Sequence, residues 1–478
     1  MSNQQNIIFG TDGWRAKLGQ AGINRQSVAI VAQAFADYCQ QNAISKVVIG
    51  YDGRLKSADF AALFADVLHA NQIKVLLSHC IVPTPVVSFH CARLGAAGVM
   101  ITASHNPAEY NGIKFKSTAG SPFYTEETAR IEALLGLNQV RTTNLRHETT
   151  DLLLPYLSHL ETMFDFSKIR SSGLKVAVDS MHGAGTRLIE KLLQKHGIEA
   201  ETIAAEPLPD FGGRLAEPIA ANLTPLTQFV SGNNFSIGLA TDGDADRLGV
   251  VDNHGNYVNI QEIILALAAY TQHHRNGQGP LVKTASVTDK LLKLAPPGQI
   301  IDVQVGFKYV AEAMMQHKAS FGAEESGGFG FGCHLPERDG IFSGLMMLEM
   351  MAASAYVKLS EMLDDQRLKL GAICYDRIDW HNNDENRHTV LTRLVNRPPA
   401  SVAGFSVAAL KEFYNSHNII NGLKIRLEGP ERWLLLRVSE TEPMVRIYAE
   451  GQNKEEVNKL LEAGKMLFET MQKEKTPL

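Results

Sequence analysis

The chain has 478 residues, enough for several domains rather than one. Hydrophobic residues make up 45% and charged residues 20%, the balance of a soluble globular protein, and a net charge of −5 without a dominant basic patch argues against a nucleic-acid partner. Five scattered cysteines (Cys39, Cys80, Cys91, Cys333 and Cys374) lack metal-ligand spacing and fit a reducing cytoplasm, and no leader-like N-terminus or apolar run of roughly 20 residues points to export or a membrane span.

Ile7–Arg15 reads as a strand ending in a glycine-punctuated turn, with Arg15 after Asp12-Gly13; alone, such an arginine is usually a solvated turn residue. A helical pattern covers Val28–Asn42, and the apolar strand Lys46–Tyr51 ends in Asp52-Gly53-Arg54. Helix and strand then alternate through Leu94 to a short apolar strand, Ala97–Ile101. This is the pattern of a mostly parallel sheet with helices on both faces, where ligands gather at the carboxyl ends of strands. The last strand hands over to Thr102-Ala103-Ser104-His105-Asn106-Pro107. Asn106-Pro107 forces a turn, because proline fixes φ and its predecessor avoids the helical region. The Ser104 hydroxyl thus sits at a strand–loop junction, although turn chemistry alone fits an ordinary connection equally well. In Gly112–Lys116 one face is apolar (Ile113, Phe115) and the other carries Lys114 and Lys116, which by itself reads as a surface strand.

A polar, threonine-rich stretch, Arg141–Asn144, marks a domain boundary, followed by an amphipathic helix over Asp151–Phe164 and a strand over Leu174–Val178. His182, in the glycine-rich turn after it, is read as structural. Strand Ile237–Thr241 leads directly into Asp242-Gly243-Asp244-Ala245-Asp246-Arg247. Three carboxylates at alternate positions of extended chain point to one side and can converge on one cation, and oxygen-only ligands select a hard ion such as Mg²⁺. A calcium EF-hand loop starts with the same spacing but needs glycine at its sixth position and glutamate at its twelfth, where this chain has Arg247 and Asn253. A merely solvated acidic turn would leave three close carboxylates repelling one another. Strand Pro280–Lys283, helix Val287–Leu294 and a basic loop, Val303–Lys308, begin a further α/β unit. In Gly322–Gly330, glycines allow close backbone approach to a ligand, and the carboxylates and hydroxyl of Glu324-Glu325-Ser326 suit vicinal sugar hydroxyls. Arg338-Asp339-Gly340 opens an apolar helix through Ser354. Past Asp364 the rhythm changes to a smaller α+β unit, starting with strand-like Ile373–Trp380. Its distinctive segment is Arg437-Val438-Ser439-Glu440-Thr441-Glu442-Pro443, followed by Arg446; guanidinium forks and hydroxyls make a phosphate cradle.

The serine loop, the Asp-Gly-Asp-Ala-Asp-Arg loop, the Glu-Glu-Ser loop and the Arg-x-Ser-x-Thr-Glu-Pro segment resemble, in order and over nearly the whole chain, the motifs of the phosphohexomutases, the phosphoglucomutase/phosphomannomutase family. Within it the chain is most similar to bacterial phosphoglucomutases. The resemblance implies an α/β fold: three related α/β domains with mixed, mostly parallel sheets plus a smaller C-terminal α+β domain around a central active-site cleft, with boundaries at 1–150, 151–255, 256–366 and 367–478. It implies that Ser104 carries the phosphate exchanged with the sugar and joins Asp242, Asp244 and Asp246 as ligands of one Mg²⁺. Arg15, His105, Lys114 and Arg247 are expected to serve catalysis. Lys114 would be the general acid/base, a role that asks for a pKa lowered towards neutrality by burial or nearby cations. Glu324, Ser326, Lys283 and Lys308 are expected to approach the sugar, and Arg437, Ser439, Thr441 and Arg446 to hold the phosphate that is not reacting.

The reaction implied interconverts hexose 1-phosphate and hexose 6-phosphate through a bound bisphosphate, with glucose 1,6-bisphosphate as activator and intermediate. Gly328 stands where phosphomannomutase-type members carry histidine, which directs the expectation to glucose, with phosphomannomutase or dual-specificity activity as the alternative. Glu440 replaces the family's small or amide residue. A non-catalytic phosphosugar-binding protein and a phosphosugar phosphatase are readings of other classes. The expected partner is a phosphorylated hexose, with neither nucleic acid nor membrane, for a cytoplasmic monomer or homodimer.

Overall fold

The computed structural model describes residues 7–474 other than 11, 144–146, 276, 297, 355, 385, 416–417 and 440–442. The fold is α/β with four domains, three on mixed, mostly parallel sheets and an antiparallel C-terminal one, as the sequence led us to expect. The chain groups into two compact units: residues up to 280 together with 306–364, and 281–305 together with 365 onward.

In the first unit, strands β1 (Trp14–Lys17), β2 (Lys46–Tyr51), β3 (Lys74–Ser78), β4 (Ala97–Ile101), β5 (Tyr110–Lys116) and β6 (Thr149–Thr150) form one sheet in the order β1-β5-β4-β2-β3-β6. β4 runs parallel to β2 and antiparallel to β5, so the segment 102–109 turns the chain at the carboxyl end of β4. Every residue of β4 is buried, as a strand covered on both faces requires. Helix α1 (Arg25–Gln41) starts at Asn24, whose side chain accepts from the Ser27 N–H at 3.0 Å. Together with α2 (Ser57–Ala70) it packs on Val47, Ile49, Val99, Ile101, Ile113 and Phe115, with Phe35 stacked on Phe115 at 4.5 Å. Ile113 and Phe115 therefore use one face of β5. Strand alternation sends Lys114 and Lys116 to the other face. That face is also covered: both lysines are fully buried, which corrects the expectation of a surface position for Lys116. Helix α3 (Thr84–Leu94), with Pro85 in its first turn, lies against β2 and β4.

The second sheet has the order β10-β9-β7-β8, from β7 (Lys175–Asp179), β8 (Glu199–Ile203), β9 (Ile237–Thr241) and β10 (Leu248–Asp252). β9 and β10 are antiparallel, with Thr241 opposite Leu248, so residues 242–247 are a tight connection rather than extended chain. Next along the chain, β11 (Leu281–Thr284) and β12 (Ile300–Val303) pair in parallel and belong to the second unit. The hairpin of β13 (Phe321–Glu324) and β14 (Gly328–Phe331) belongs to the first, as does the helix Gly340–Ala353, capped by Asp339 accepting from the Phe342 N–H at 2.9 Å. The expected helix over Val287–Leu294 is a 3₁₀ turn, Asp289–Lys293, started by the Thr288 hydroxyl accepting from the Lys290 N–H. Of the expected basic loop over Val303–Lys308, residues 304–306 are a loop, while Val303 ends β12 and Lys308 lies in the helix Phe307–His317.

The remainder of the second unit is built on an antiparallel sheet, β15 (Cys374–His381), β16 (Ser401–Val402), β17 (Phe405–Tyr414), β18 (Ile420–Leu427), β19 (Trp433–Val438) and β20 (Met444–Gly451), in the order β15-β20-β19-β18-β17-β16. The helix Lys454–Lys473 lays Val457, Leu460 and Phe468 into a core with Leu434, Leu436 and Ile447. Among the described residues no helix is long and apolar enough to cross a membrane.

Candidate active site

Ser104 follows β4 in the left-handed region (φ +53°), its N–H donating to Thr102 Oγ1 at 2.9 Å. A non-glycine residue there needs support from its surroundings. The support is Arg54, at the carboxyl end of β2. Its guanidinium donates to the carbonyls of Ser104 and Asn106 (2.6 Å each), Pro107 (2.9 Å) and Tyr110 (3.0 Å). Its Nε lies 3.2 Å from Asp52 Oδ2, and its plane lies over the Phe211 ring at 4.7 Å. The fork geometry of arginine suits this, since one rigid group reads four carbonyls of a single turn. Arg15 joins from β1, donating to Asn106 Oδ1 at 3.0 Å.

The Ser104 hydroxyl donates to Asp242 Oδ2 at 2.8 Å. The loop 242–247 approaches so closely that a Cβ on Gly243 would lie 2.4 Å from the Ser104 carbonyl oxygen. Asp242 Oδ1 accepts from the Asp246 and Arg247 N–H groups at 2.9 and 3.2 Å, and Ala245 sits at φ +56°. The three aspartates converge, then, through a tight turn rather than through the alternation of extended chain. One oxygen of each lies within 4.8 Å of the others. Asp244 Oδ1 and Asp246 Oδ1 are buried and accept no hydrogen bond. An all-oxygen cluster with two buried, unpartnered carboxylate oxygens fits a hard divalent cation.

Lys114 projects from β5 into the same cluster. Its ammonium meets Asp244 Oδ2 at 2.8 Å and Asp246 Oδ2 and Asp12 Oδ2 at 2.9 Å. Burial alone would lower its pKa, but Asp12, Asp244 and Asp246 outweigh burial and hold it above the usual lysine range. The structure thus departs from the lowered pKa anticipated for an acid/base lysine. Burial and the neighbouring Asp246 and Asp244 push Asp242 well above the usual carboxylate range, whereas Lys114 overcomes burial at Asp244 and holds it below. Thr84 Oγ1 also donates to Asp244 Oδ2. Arg247 reaches towards Asp242 and Asp246, its Nε 4.0 Å from each. His105 has a buried Nδ1 without a hydrogen-bond partner, and burial, with Arg247 and Arg15 nearby, depresses its pKa well below the usual histidine range.

Glu324 ends β13 and Ser326 lies in the hairpin turn, donating to Glu324 Oε1 at 2.6 Å. Lys308, in the first turn of its helix, holds its ammonium 4.9 Å from the Tyr309 ring centroid. In the second unit Arg437 and Arg446 face one another across β19 and β20. Like charges placed directly opposite disfavour the pairing unless an anion compensates them. Asp379, opposite Arg446 on β15, approaches its Nε to 3.7 Å. Ser439 closes this end of the hairpin, its N–H donating to the Met444 carbonyl at 2.9 Å. Thr441 and Glu440 lie outside the described residues. Lys283, expected to approach the sugar, is instead committed internally. Its three donors meet the Val287 carbonyl (3.0 Å), Asp289 (3.0 Å) and Asp302 (2.8 Å), which leaves none for a ligand.

Residues not anticipated also line the site: Asp12, Arg54, Thr84, Lys116, Glu337 and Arg338. For Arg54 a signal existed, its place at the carboxyl end of a parallel strand. Lys116 pairs with the fully buried Glu337, and Arg338 with Asp246 at 2.7 Å and Glu324 at 3.0 Å. No local pattern marks these pairs.

Family models described as phosphoglucomutase/phosphomannomutase alpha/beta/alpha domains I, II and III match residues 6–139, 154–255 and 259–369, and the C-terminal domain of the same family matches 394–463. A Methanosphaera stadtmanae protein provisionally named a phosphoglucosamine mutase is 32% identical, over 95% of this chain and 96% of that one. A Komagataeibacter xylinus phosphoglucomutase is 27% identical, over 94% and 88%. The crystal structure of a Thermus thermophilus protein, provisionally named a phosphomannomutase, superposes with a TM-score of 0.83 at 33% identity, covering 97% of this chain and 99% of that one. Four matches in chain order, over a site joining a serine to three aspartates, mean that the chain belongs to the phosphoglucomutase/phosphomannomutase family of the α-D-phosphohexomutases.

Proposed function

We propose that this phosphohexomutase interconverts glucose 1-phosphate and glucose 6-phosphate by two in-line phosphoryl transfers through Ser104. Phosphorylated at Oγ, Ser104 gives its phosphoryl group to the free hydroxyl of the hexose monophosphate: the Oγ–P bond breaks as the new P–O ester bond forms, and the hydroxyl proton passes to the serine oxygen that is released. The bisphosphate turns over within the site and its other phosphoryl group returns to Ser104. The observation that carries this reading is the Ser104 hydroxyl hydrogen-bonded at 2.8 Å to Asp242 within a buried aspartate triad. A divalent cation held by Asp242, Asp244, Asp246 and Ser104 would neutralise charge on the transferring group.

The chain's own residues do the rest. Arg54 and Arg15 fix the Ser104 turn, so that the oxygen is held in line. Lys114, donating to the Oδ2 atoms of Asp244 and Asp246, leaves their Oδ1 atoms unpaired and directs them. Arg247 and the His105 ring flank the aspartates. Glu324 and Ser326 take ring hydroxyls, with Lys308 at the same subsite. The Arg-x-Ser-x-Thr motif assigns Arg437, Ser439, Thr441 and the following Arg446 to the distal phosphate, which alternates between C1 and C6.

Glucose is favoured because Gly328 supplies no imidazole for the axial hydroxyl of mannose. A second reading, glucosamine 1-phosphate as the substrate, draws on the name of the Methanosphaera relative. The deciding experiment assays glucose, mannose and glucosamine 1-phosphates side by side with Mg²⁺ and trace glucose 1,6-bisphosphate, with peptide mass mapping of Ser104. The expected result is the highest kcat/KM for glucose 1-phosphate, with phosphate on Ser104 that Ser104→Ala abolishes together with turnover. Equal or better kcat/KM for another hexose would replace the substrate, and full activity of Ser104→Ala would overturn the mechanism.

A further inference from the structure

One buried guanidinium beside the site has no part in the transfers described above. Arg338 lies between β14 and the helix Gly340–Ala353, with only 4% of its side chain exposed. Its Nη1 donates to Glu324 Oε1 at 3.0 Å, and its Nη2 donates to Asp246 Oδ2 at 2.7 Å and also to Asp12 Oδ2. The guanidinium lies over the Phe307 ring at 5.4 Å. A single planar group therefore spans a sugar-loop carboxylate and an aspartate of the triad. The route it takes is equally specific. A Cβ on Gly328 would stand 2.4 Å from Arg338 Cδ, 2.9 Å from its Cγ and 2.9 Å from Glu324 Oε1. The space at position 328 is not vacant; the stem of Arg338 fills it.

We propose that Arg338, threaded over Gly328, is the positioning residue that sets ring selectivity, by locking Glu324 and tying it to Asp246. Glu324 Oε1 already accepts from both Arg338 and Ser326. The carboxylate is therefore fixed in rotation, and Oε2 is left as the acceptor for a ring hydroxyl. A fixed acceptor distinguishes equatorial from axial hydroxyls, because a misplaced hydroxyl leaves a buried polar group unpaired. A freely rotating carboxylate follows either epimer. Gly328 and Arg338 form one device: any side chain at 328 evicts the arginine stem. Lysine cannot replace Arg338, since a point charge does not bridge two carboxylates as a fork does. The proposal deepens the hexose mutase reading and rests on Glu324 meeting the ring.

The test uses the full chain and its Arg338→Lys, Arg338→Ala, Gly328→Ala and Gly328→Ala/Arg338→Ala variants. For each, kcat/KM for glucose 1-phosphate and mannose 1-phosphate is measured, with calorimetric binding of glucose 6-phosphate and mannose 6-phosphate. The ratio between the two sugars, in turnover and in binding, is expected to shrink about tenfold or more in every variant, including the conservative lysine. The double variant should match Arg338→Ala within about twofold, because the Cβ at 328 acts on the same Glu324–Arg338 lock, through the arginine stem and through the Glu324 oxygen 2.9 Å away. A purely structural loss lowers both sugars alike and leaves the ratio, which overturns the proposal; so does a double variant whose losses multiply. A wild type that prefers mannose refutes the glucose assignment, yet the ratio in the variants still decides Arg338. A wild type that binds without turnover refutes the mutase reading, and the binding ratio decides in the same way.

Discussion

Asp244 shows how much of this site resides in single atoms. Its Oδ2 takes the Lys114 and Thr84 donors while its Oδ1 stays buried and unpaired. Asp244→Asn keeps the volume, removes the charge and turns one of these acceptors into a donor that faces Lys114 or the cation. A loss in kcat on the order of 10²-fold or more is expected, as for other electrostatic transition-state groups, together with weakened Mg²⁺ binding in a calorimetric titration. Normal turnover by the variant after exhaustive chelation would remove the aspartates from the reaction. The aspartate cluster was legible in the sequence because its spacing is local, whereas turn chemistry left Ser104 an ordinary strand–loop serine and only the family motif singled it out. Arg338 was not legible, since its partner Asp12 lies 326 positions away. Lys116 read as a surface lysine because nothing near it announces Glu337, 221 positions on. Buried charge pairs are properties of the fold, and a sequence shows the partners without the pairing.

At the level of elements, the apolar runs of β2, β4 and β9 were readable with nearly their final boundaries, because strands buried on both faces have little freedom in composition. The connections were less so. Extended chain was expected over Asp242–Asp246, where Asp242 folds back on two N–H groups instead. The Ser104 turn has the same character. Its geometry belongs to Arg54, an element away, which holds four of its carbonyl oxygens. Arg54→Lys retains the charge opposite Asp52 but cannot reach four acceptors at once. A small displacement of a reacting oxygen is costly in rate. The expected outcome is a fall in kcat of about tenfold or more with KM for the hexose phosphate nearly unchanged, measured by steady-state kinetics beside a melting curve. Unaltered kcat, or a change confined to KM, would show that the turn holds Ser104 without this arginine.

Over the whole molecule, the four-domain order was legible, whereas the grouping of 281–305 with the C-terminal sheet was not. An apolar cluster of Ala285 with Phe413, Trp433 and Leu435 and a set of ion pairs join these segments. Asp289 meets Lys283, Lys424 and Arg426, and Asp302 meets Lys283, Lys411 and Arg426. The two buried ammoniums fare differently. Asp289 and Asp302 overcome burial at Lys283 and raise its pKa. Burial and the nearby Lys283 push Lys424 down to about 8 from an ordinary 10.5, despite its Asp289 contact and its place 4.0 Å over the Trp433 ring. Between these two values the unfolded chain binds more protons than the folded one, so this group makes stability rise as pH climbs from about 8 to 10.5. Below pH 8 the cost of burying the charged ammonium is carried in full. Lys424→Met removes that cost while Asp289 keeps Lys283 and Arg426. Wild type should therefore gain on the variant between pH 7.5 and pH 10, by on the order of 1–3 kcal/mol, or a few degrees in the difference of Tm. Comparing two proteins at each pH cancels the other groups that titrate in alkali. A Tm difference that stays constant across this range would show that Lys424 keeps its proton in the folded unit, and that the ion cluster carries its full charge at every pH where the protein is folded.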